Sequence, residues 1–115
     1  MSTASHERAA RSLRGKAPLF AALGDATRLA ILTKLTGGAP LSITRLTAGT
    51  ALTRQAVTKH LRVLQATGLV RSVRRGRENR FALRPEPLEE ARRALTRISR
   101  QWDEALARLK SLVEE

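Results

Sequence analysis

The stretch TRQAVTKHLRVLQATG, residues 53–68, decides how the rest of the chain is read. Thr53 is a residue type that caps a helix start through its side-chain oxygen, and Gly68 is the type that ends one in the left-handed conformation. Between them Val57, Leu61 and Leu64 fall at i, i+4 and i+7 and make one apolar stripe. Gln55, Thr58, Lys59 and Arg62 lie on the other side, and at about 100° per residue Gln55, Lys59 and Arg62 stand roughly opposite Val57. One face wants a core. The other is polar, basic and rich in hydrogen-bond donors, which suits a groove lined by phosphates and base edges.

Upstream, Ser42 is a plausible cap for a short helix running to about Ala48, with Ile43 and Leu46 turned inward, and Gly49 breaks it before Leu52 and Thr53. Two short helices joined by a glycine-containing turn, the second with a basic outer face, form a helix-turn-helix pattern. Before it, Pro18 suits the first turn of a helix that Leu19, Phe20 and Leu23 make apolar and Gly24 stops. Asp25 then caps a helix from Ala26 to Leu35, with Leu29, Leu32 and Leu35 repeating at helical spacing and Ile31 alongside. Residues 1–16 are polar and contain Arg8, Arg11, Arg14 and Lys16; a frayed helix and a basic arm both fit.

Downstream, Leu69–Val73 and Asn79–Leu83 are β-prone runs bracketing RRGREN, residues 74–79, where Gly76 can take the positive φ of a hairpin tip. Such a ribbon would place Arg71, Arg74, Arg75, Arg77 and Arg80 at or near its tip, as a basic wing beside the helix-turn-helix. Arg84, Pro85, Glu86 and Pro87 interrupt the chain. From Leu88 to about Val113 a long helix follows, with Leu88, Ala91, Leu95, Ile98, Trp102, Ala105, Leu109 and Leu112 spaced alternately by three and four. A heptad face of this kind is a core or a dimer interface.

The 115 residues bound the chain to a single domain. The net charge of +12 is unevenly placed: residues 53–80 hold eight basic residues against one acid, whereas 86–115 hold six against seven. A polyanion is the expected partner, because no basic helix with large exposed apolar residues accompanies the charge to favour a membrane surface. The chain has no cysteine, which removes disulfides, thiolate metal sites and thiol redox sensing. His6 and His60 are too few for a metal site. No run approaches transmembrane length, and residues 1–20 lack an apolar signal core, so a cytoplasmic location is expected. No Ser, His and Asp set and no glycine-rich phosphate loop is readable, so an enzyme is not expected.

Within this frame each side chain has a chemical role. Lys59 and Arg62 can pair with guanine and Gln55 with adenine, while Thr58 can hydrogen-bond or touch a thymine methyl. Thr53 and Arg54, at the start of the helix, are better placed for phosphate. The wing arginines suit phosphate or minor-groove contact. His60 falls at the boundary of the core stripe, where a histidine bonded to a backbone carbonyl is the expected case. For Arg28, a local ion pair and a phosphate contact are both open.

LFAALGDATRLAIL (19–32), LTRQAVTKHLRVLQATGLV (52–70) and RRGRENRFAL (74–83), taken together, resemble the ArsR-type winged helix-turn-helix transcriptional repressors. The resemblance is close over residues 17–83 and extends in general plan to the last helix. It implies a homodimer built from the first and last helices, with Leu19, Phe20, Leu95, Ile98, Trp102, Ala105 and Leu109 at the interface, and paired helices reading a palindromic operator in double-stranded DNA. Metal-sensing members place cysteines beside the first helix of the helix-turn-helix, or Asp, His and Glu ligands on the terminal helix. Here the first region reads APLSITRL and the last helix has no histidine. A metal-independent branch fits, with no cofactor and an unidentified small-molecule or protein inducer left open.

The expected fold is mainly α (α+β). A winged helix-turn-helix with a two-stranded wing (17–84) follows the N-terminal arm (1–16), and the dimerisation helix (85–115) belongs to the same compact domain. The expected function is sequence-specific transcriptional repression, its own gene included. A sequence-indifferent chromosome-associated protein and a winged-helix protein-protein adaptor are the alternatives.

Overall fold

Local signals set most of the helix boundaries in the structure, a computed structural model that describes residues 3–114. Met1 and Ser2 of the N-terminal arm and Glu115 of the last helix lie outside the described residues. In order come α1 (Thr3–Gly15), α2 (Ala17–Leu23), α3 (Ala26–Leu35), β1 (Leu41–Ser42), α4 (Ile43–Thr47), α5 (Arg54–Ala66), β2 (Val70–Arg75), β3 (Glu78–Leu83) and α6 (Pro85–Glu114). Asp25, Ser42 and Thr53 each accept the backbone N–H three residues on, at 3.0, 3.2 and 3.0 Å, so α3, α4 and α5 all begin at side-chain caps.

The chain divides into two compact units, one spanning Pro18–Leu88 and the other made of the residues up to Ala17 and those from Glu89 onward. In the first, Leu35, Leu46, Val57, Leu61, Leu64 and Leu69 are almost wholly buried, joined by Ile31, Leu32, Val70 and Phe81. Apart from Phe81 this core is aliphatic, as a chain with three aromatic residues requires. Among the described residues no buried side-chain nitrogen or oxygen lacks a hydrogen-bond partner.

The wing is wider than the expected hairpin. The sheet has three antiparallel strands in the order β1-β3-β2, with Leu41 opposite Phe81 and Ser42 opposite Arg80. A two-residue strand has no sequence signature of its own; Leu41 and Ser42 are extended because β3 offers them an edge. β2 and β3 turn at Gly76 and Arg77, with Gly76 at φ 61° and Arg77 at negative φ, the pattern of a type II′ hairpin.

Gly68 ends α5 at φ 77°. Its N–H donates to the Gln65 carbonyl at 3.0 Å and that of Leu69 to the Leu64 carbonyl at 2.9 Å, the paired bonds of a Schellman motif. A Cβ on Gly68 would meet only Pro87 Cγ at 3.8 Å, an ordinary contact, so the need for glycine is conformational rather than steric. Gly68→Ala should therefore destabilise the fold by about 1 kcal/mol, and Gly68→Asn by less. Thermal melts of the two variants give the comparison, and an alanine variant as stable as the native protein would remove this account.

In the second unit, α1 and the N-terminal half of α6 are linked by Arg97 donating to Ser12 Oγ at 3.2 Å and by Lys16 pairing with Glu90 at 3.4 Å. Ala9, Ala91 and Ala94 are buried there. Pro85 and Pro87, expected to interrupt the chain, instead lie in the first turn of α6, where the missing N–H groups would have no intrahelical acceptor. The single seam expected along this helix resolves into two. Ala91 and Ala94 are buried with Ile98 and Ala105 half-buried, whereas Leu95, Trp102, Leu106, Leu109, Leu112 and Val113 are exposed, Trp102 to 64%.

Candidate nucleic-acid interface

The turn before α5 is fixed by side chains that cap its carbonyls. Thr50 Oγ1 donates to the Thr47 carbonyl at 2.6 Å and accepts the Leu52 N–H at 3.2 Å. The Lys34 ammonium, reaching from α3, donates to the Leu46 and Ala48 carbonyls at 3.1 and 3.3 Å. A cation on the last carbonyls of α4 is the favourable end of that helix's dipole. These contacts, with the Thr53 cap, set where α5 begins.

From there Val57, Leu61 and Leu64 anchor α5 in the core, and Gln55, Lys59 and Arg62 face outward. With Arg54 and Thr58 they line an open groove of about 550 Å³. Among the described residues no hydrogen bond or ion pair engages Gln55, Lys59 or Arg62, so their donors are available. Arg54 differs: its Nη1 donates to Thr44 Oγ1 at 2.6 Å, which draws the guanidinium toward α4. The Thr58 hydroxyl donates to the Arg54 carbonyl at 2.8 Å, so its proton is used within the helix and its methyl remains for contact.

The wing starts three residues after α5, and its arginines are not equivalent. Arg74 Nε donates to the Gly76 carbonyl at 3.1 Å, bracing the turn, and Arg80 Nε donates to Glu78 Oε1 at 2.6 Å. Arg75 and Arg77 are exposed and, among the described residues, unengaged. Arg71 is equally free at the base of the ribbon, opposite Ala82, and shares the ribbon face of Arg75 by strand alternation. Sequence reasoning placed Arg71 near the tip without giving it a role, and it missed Thr44 and Lys34, whose part depends on a partner in another helix.

Arg28 belongs to the fold rather than to this surface. Its Nε donates to the Ala22 carbonyl at 2.7 Å and its Nη2 to the Ala21 carbonyl at 3.2 Å, capping α2. Its Nη1 lies 3.3 Å from His60 Nδ1 and 3.9 Å from the Asp25 carboxylate. His60 thus meets a guanidinium, not the backbone carbonyl expected. The Arg28 backbone N–H, with help from the guanidinium, holds the Asp25 carboxyl below its ordinary value against a smaller opposing effect of desolvation. Because the folded value is the lower one, the cap's contribution is complete at neutral pH and is lost as pH falls through that value.

The residues expected at a dimer interface separate. Leu19 is 7% exposed, while Phe20 beside it is half-buried. Leu95, Trp102 and Leu109 are exposed on α6, and Ile98 and Ala105 lie half-buried on its other stripe. Leu106 and Val113 extend the exposed stripe. Among the described residues no group of three His, Cys, Asp or Glu side chains is arranged to hold a metal ion, and no helix is long and apolar enough to cross a membrane.

Comparison with known proteins places this geometry among regulators. Residues 23–73 match the family described as Helix-turn-helix domain. The HTH-type transcriptional regulator YuzN of Bacillus subtilis (strain 168) is 40% identical over 80 residues, covering 64% of this chain and 87% of the relative. An ArsR-like transcriptional regulator from Rhodococcus sp. RHA1 superposes with a TM-score of 0.80 at 44% identity, covering 86% of this chain and 90% of that one. The cadmium metal-sensor CMTR of Mycobacterium tuberculosis gives 0.50 at 42% identity, over 58% of this chain and 68% of that one.

Proposed function

Since the chain belongs to the ArsR-type family of winged helix-turn-helix transcriptional regulators, we propose that it is a homodimeric repressor of a palindromic operator, its own promoter included. Family membership makes it a DNA-binding regulator and not an enzyme. The observation that supports the finer reading is the unengaged outer face of α5, Gln55, Lys59 and Arg62, followed, on a ribbon joined to α5 by a three-residue link, by an equally unengaged pair of wing arginines, Arg75 and Arg77. Gln55, Lys59 and Arg62 read base edges in the major groove, and Thr58 offers its methyl to thymine. Thr53 and Arg54 contact phosphate at the start of the helix. Arg75 and Arg77 grip the adjacent backbone or minor groove, with Arg74 and Arg80 shaping the ribbon that presents them.

The exposed stripe of α6 around Trp102 is the surface on which a second subunit would pack. A two-fold pair of α5 helices explains why a palindrome would be read. A relative titled a cadmium sensor raises the question of metal control. With no cysteine in this sequence, thiolate capture of a soft cation is closed to it.

Selection of bound genomic fragments at physiological salt tests the reading, with a shared palindrome as the expected result. Lys59→Ala and Arg62→Ala should each lower affinity for that site by about 1–3 kcal/mol and relax the preference at one base position. Arg75→Ala should weaken all sequences alike. Fragments without a common motif would favour a sequence-indifferent chromosomal protein, and unchanged discrimination in both α5 variants would remove their base-reading role.

A further inference from the structure

A second recess lies between α3 and the α4–α5 turn, away from the outer face of α5. It is an open hollow of about 350 Å³, lined by the buried Ile31 and Leu46 and by Ala26, Ala30 and Leu52. Its lining is apolar except for the threonines and one charge, Lys34. The small side chains of Ala26 and Ala30 leave the floor open where longer ones would cover it. Two of the three Lys34 ammonium protons are spent on the Leu46 and Ala48 carbonyls, and among the described residues the group has no carboxylate partner. Its third donor is uncommitted.

We propose that this recess binds a small organic anion, a carboxylate on an apolar body of about ten non-hydrogen atoms, and that its binding weakens the hold on DNA. The apolar body covers Ile31 and Leu46, and the carboxylate pairs with Lys34. A carboxylate is a stronger acceptor for an ammonium than a neutral carbonyl is. The pairing therefore competes with the Leu46 and Ala48 carbonyls for the cation that fixes the turn. Those carbonyls open the segment that ends at the Thr53 cap, so loosening it moves the start of α5, where Arg54 and Gln55 stand. The site itself is independent of the proposed function; its effect on DNA rests on it.

Octanoate is a suitable probe, with octanol as the uncharged control of equal length. In a titration of ¹⁵N-labelled protein, octanoate should shift the amides of residues 26–34 and 50–52 with half-saturation at about 1 mM. Octanol should bind at least about tenfold more weakly. Saturating octanoate should lower affinity for a labelled duplex about tenfold. Ala30→Trp, which fills the recess from its exposed rim, should bind duplex normally and lose the response. Lys34→Met, a second and separate variant, should make octanoate and octanol equivalent. The site is overturned if no amide moves by about 10 mM, if the shifts cluster on the Trp102 stripe of α6, or if octanol binds the native protein as well as octanoate does. Binding that leaves duplex affinity unchanged overturns the regulatory half. A protein that binds no duplex at all fails the repressor reading instead, and the amide titration still decides the recess.

Discussion

Trp102→Glu is expected to turn the protein into monomers in sedimentation velocity at concentrations where the native chain is a dimer. Trp102 is the largest side chain of the exposed stripe on α6, flanked one turn away by Leu106 and two turns away by Leu95 and Leu109. Six large apolar residues on one side of one helix are more than a solitary subunit ordinarily leaves in water. In a two-fold interface each substitution acts twice. Losing a buried tryptophan costs about 3 kcal/mol or more per copy, so the pair weakens association by about 10⁴-fold before the cost of desolvating two glutamates is counted. Binding to a palindrome should fall with it, since each half-site is then occupied separately. A dimer that survives the change would remove the α6 stripe from the interface.

The second large effect is on ionic strength. If a dimer neutralises about eight phosphates, log affinity falls against log salt with a slope near about −7, a loss on the order of 10⁴-fold between 50 and 200 mM. In the proposed docking four phosphate contacts per subunit come from Arg54, Arg71, Arg75 and Arg77, and Lys59 and Arg62 are assigned to bases. The double variant Arg75→Ala/Arg77→Ala should flatten the slope by about 4 and leave the preferred sequence unchanged. A slope near −2 for the native protein would count against this docking mode and toward a protein-protein adaptor, whose contacts tolerate salt.

The helices of the DNA-binding unit were legible because their termini are written locally. Asp25, Thr53 and Gly68 act within one turn of their own position, and the stripe of Val57, Leu61 and Leu64 needs no knowledge of its neighbour. What escaped depends on distant partners. β1 exists through its pairing with Phe81 and Arg80, and Arg28 through carbonyls of another helix and a ring from a third. The apolar repeat from Leu88 does not show that α6 begins at Pro85, because proline signals a break in the chain as readily as a first turn. Along the same helix the spacing showed that apolar residues recur, but not that one stripe is covered by its own chain and the adjoining one is left open.

The aliphatic core has a practical outcome. With one tryptophan and no tyrosine, nearly all of the protein's ultraviolet emission comes from a single indole, and it stands on the stripe assigned to association. An indole sealed between subunits emits at shorter wavelength than one bathed in water. Under the proposed dimer the chain would carry its own optical gauge of assembly, readable by dilution alone, with no dye attached and no competing fluorophore to subtract.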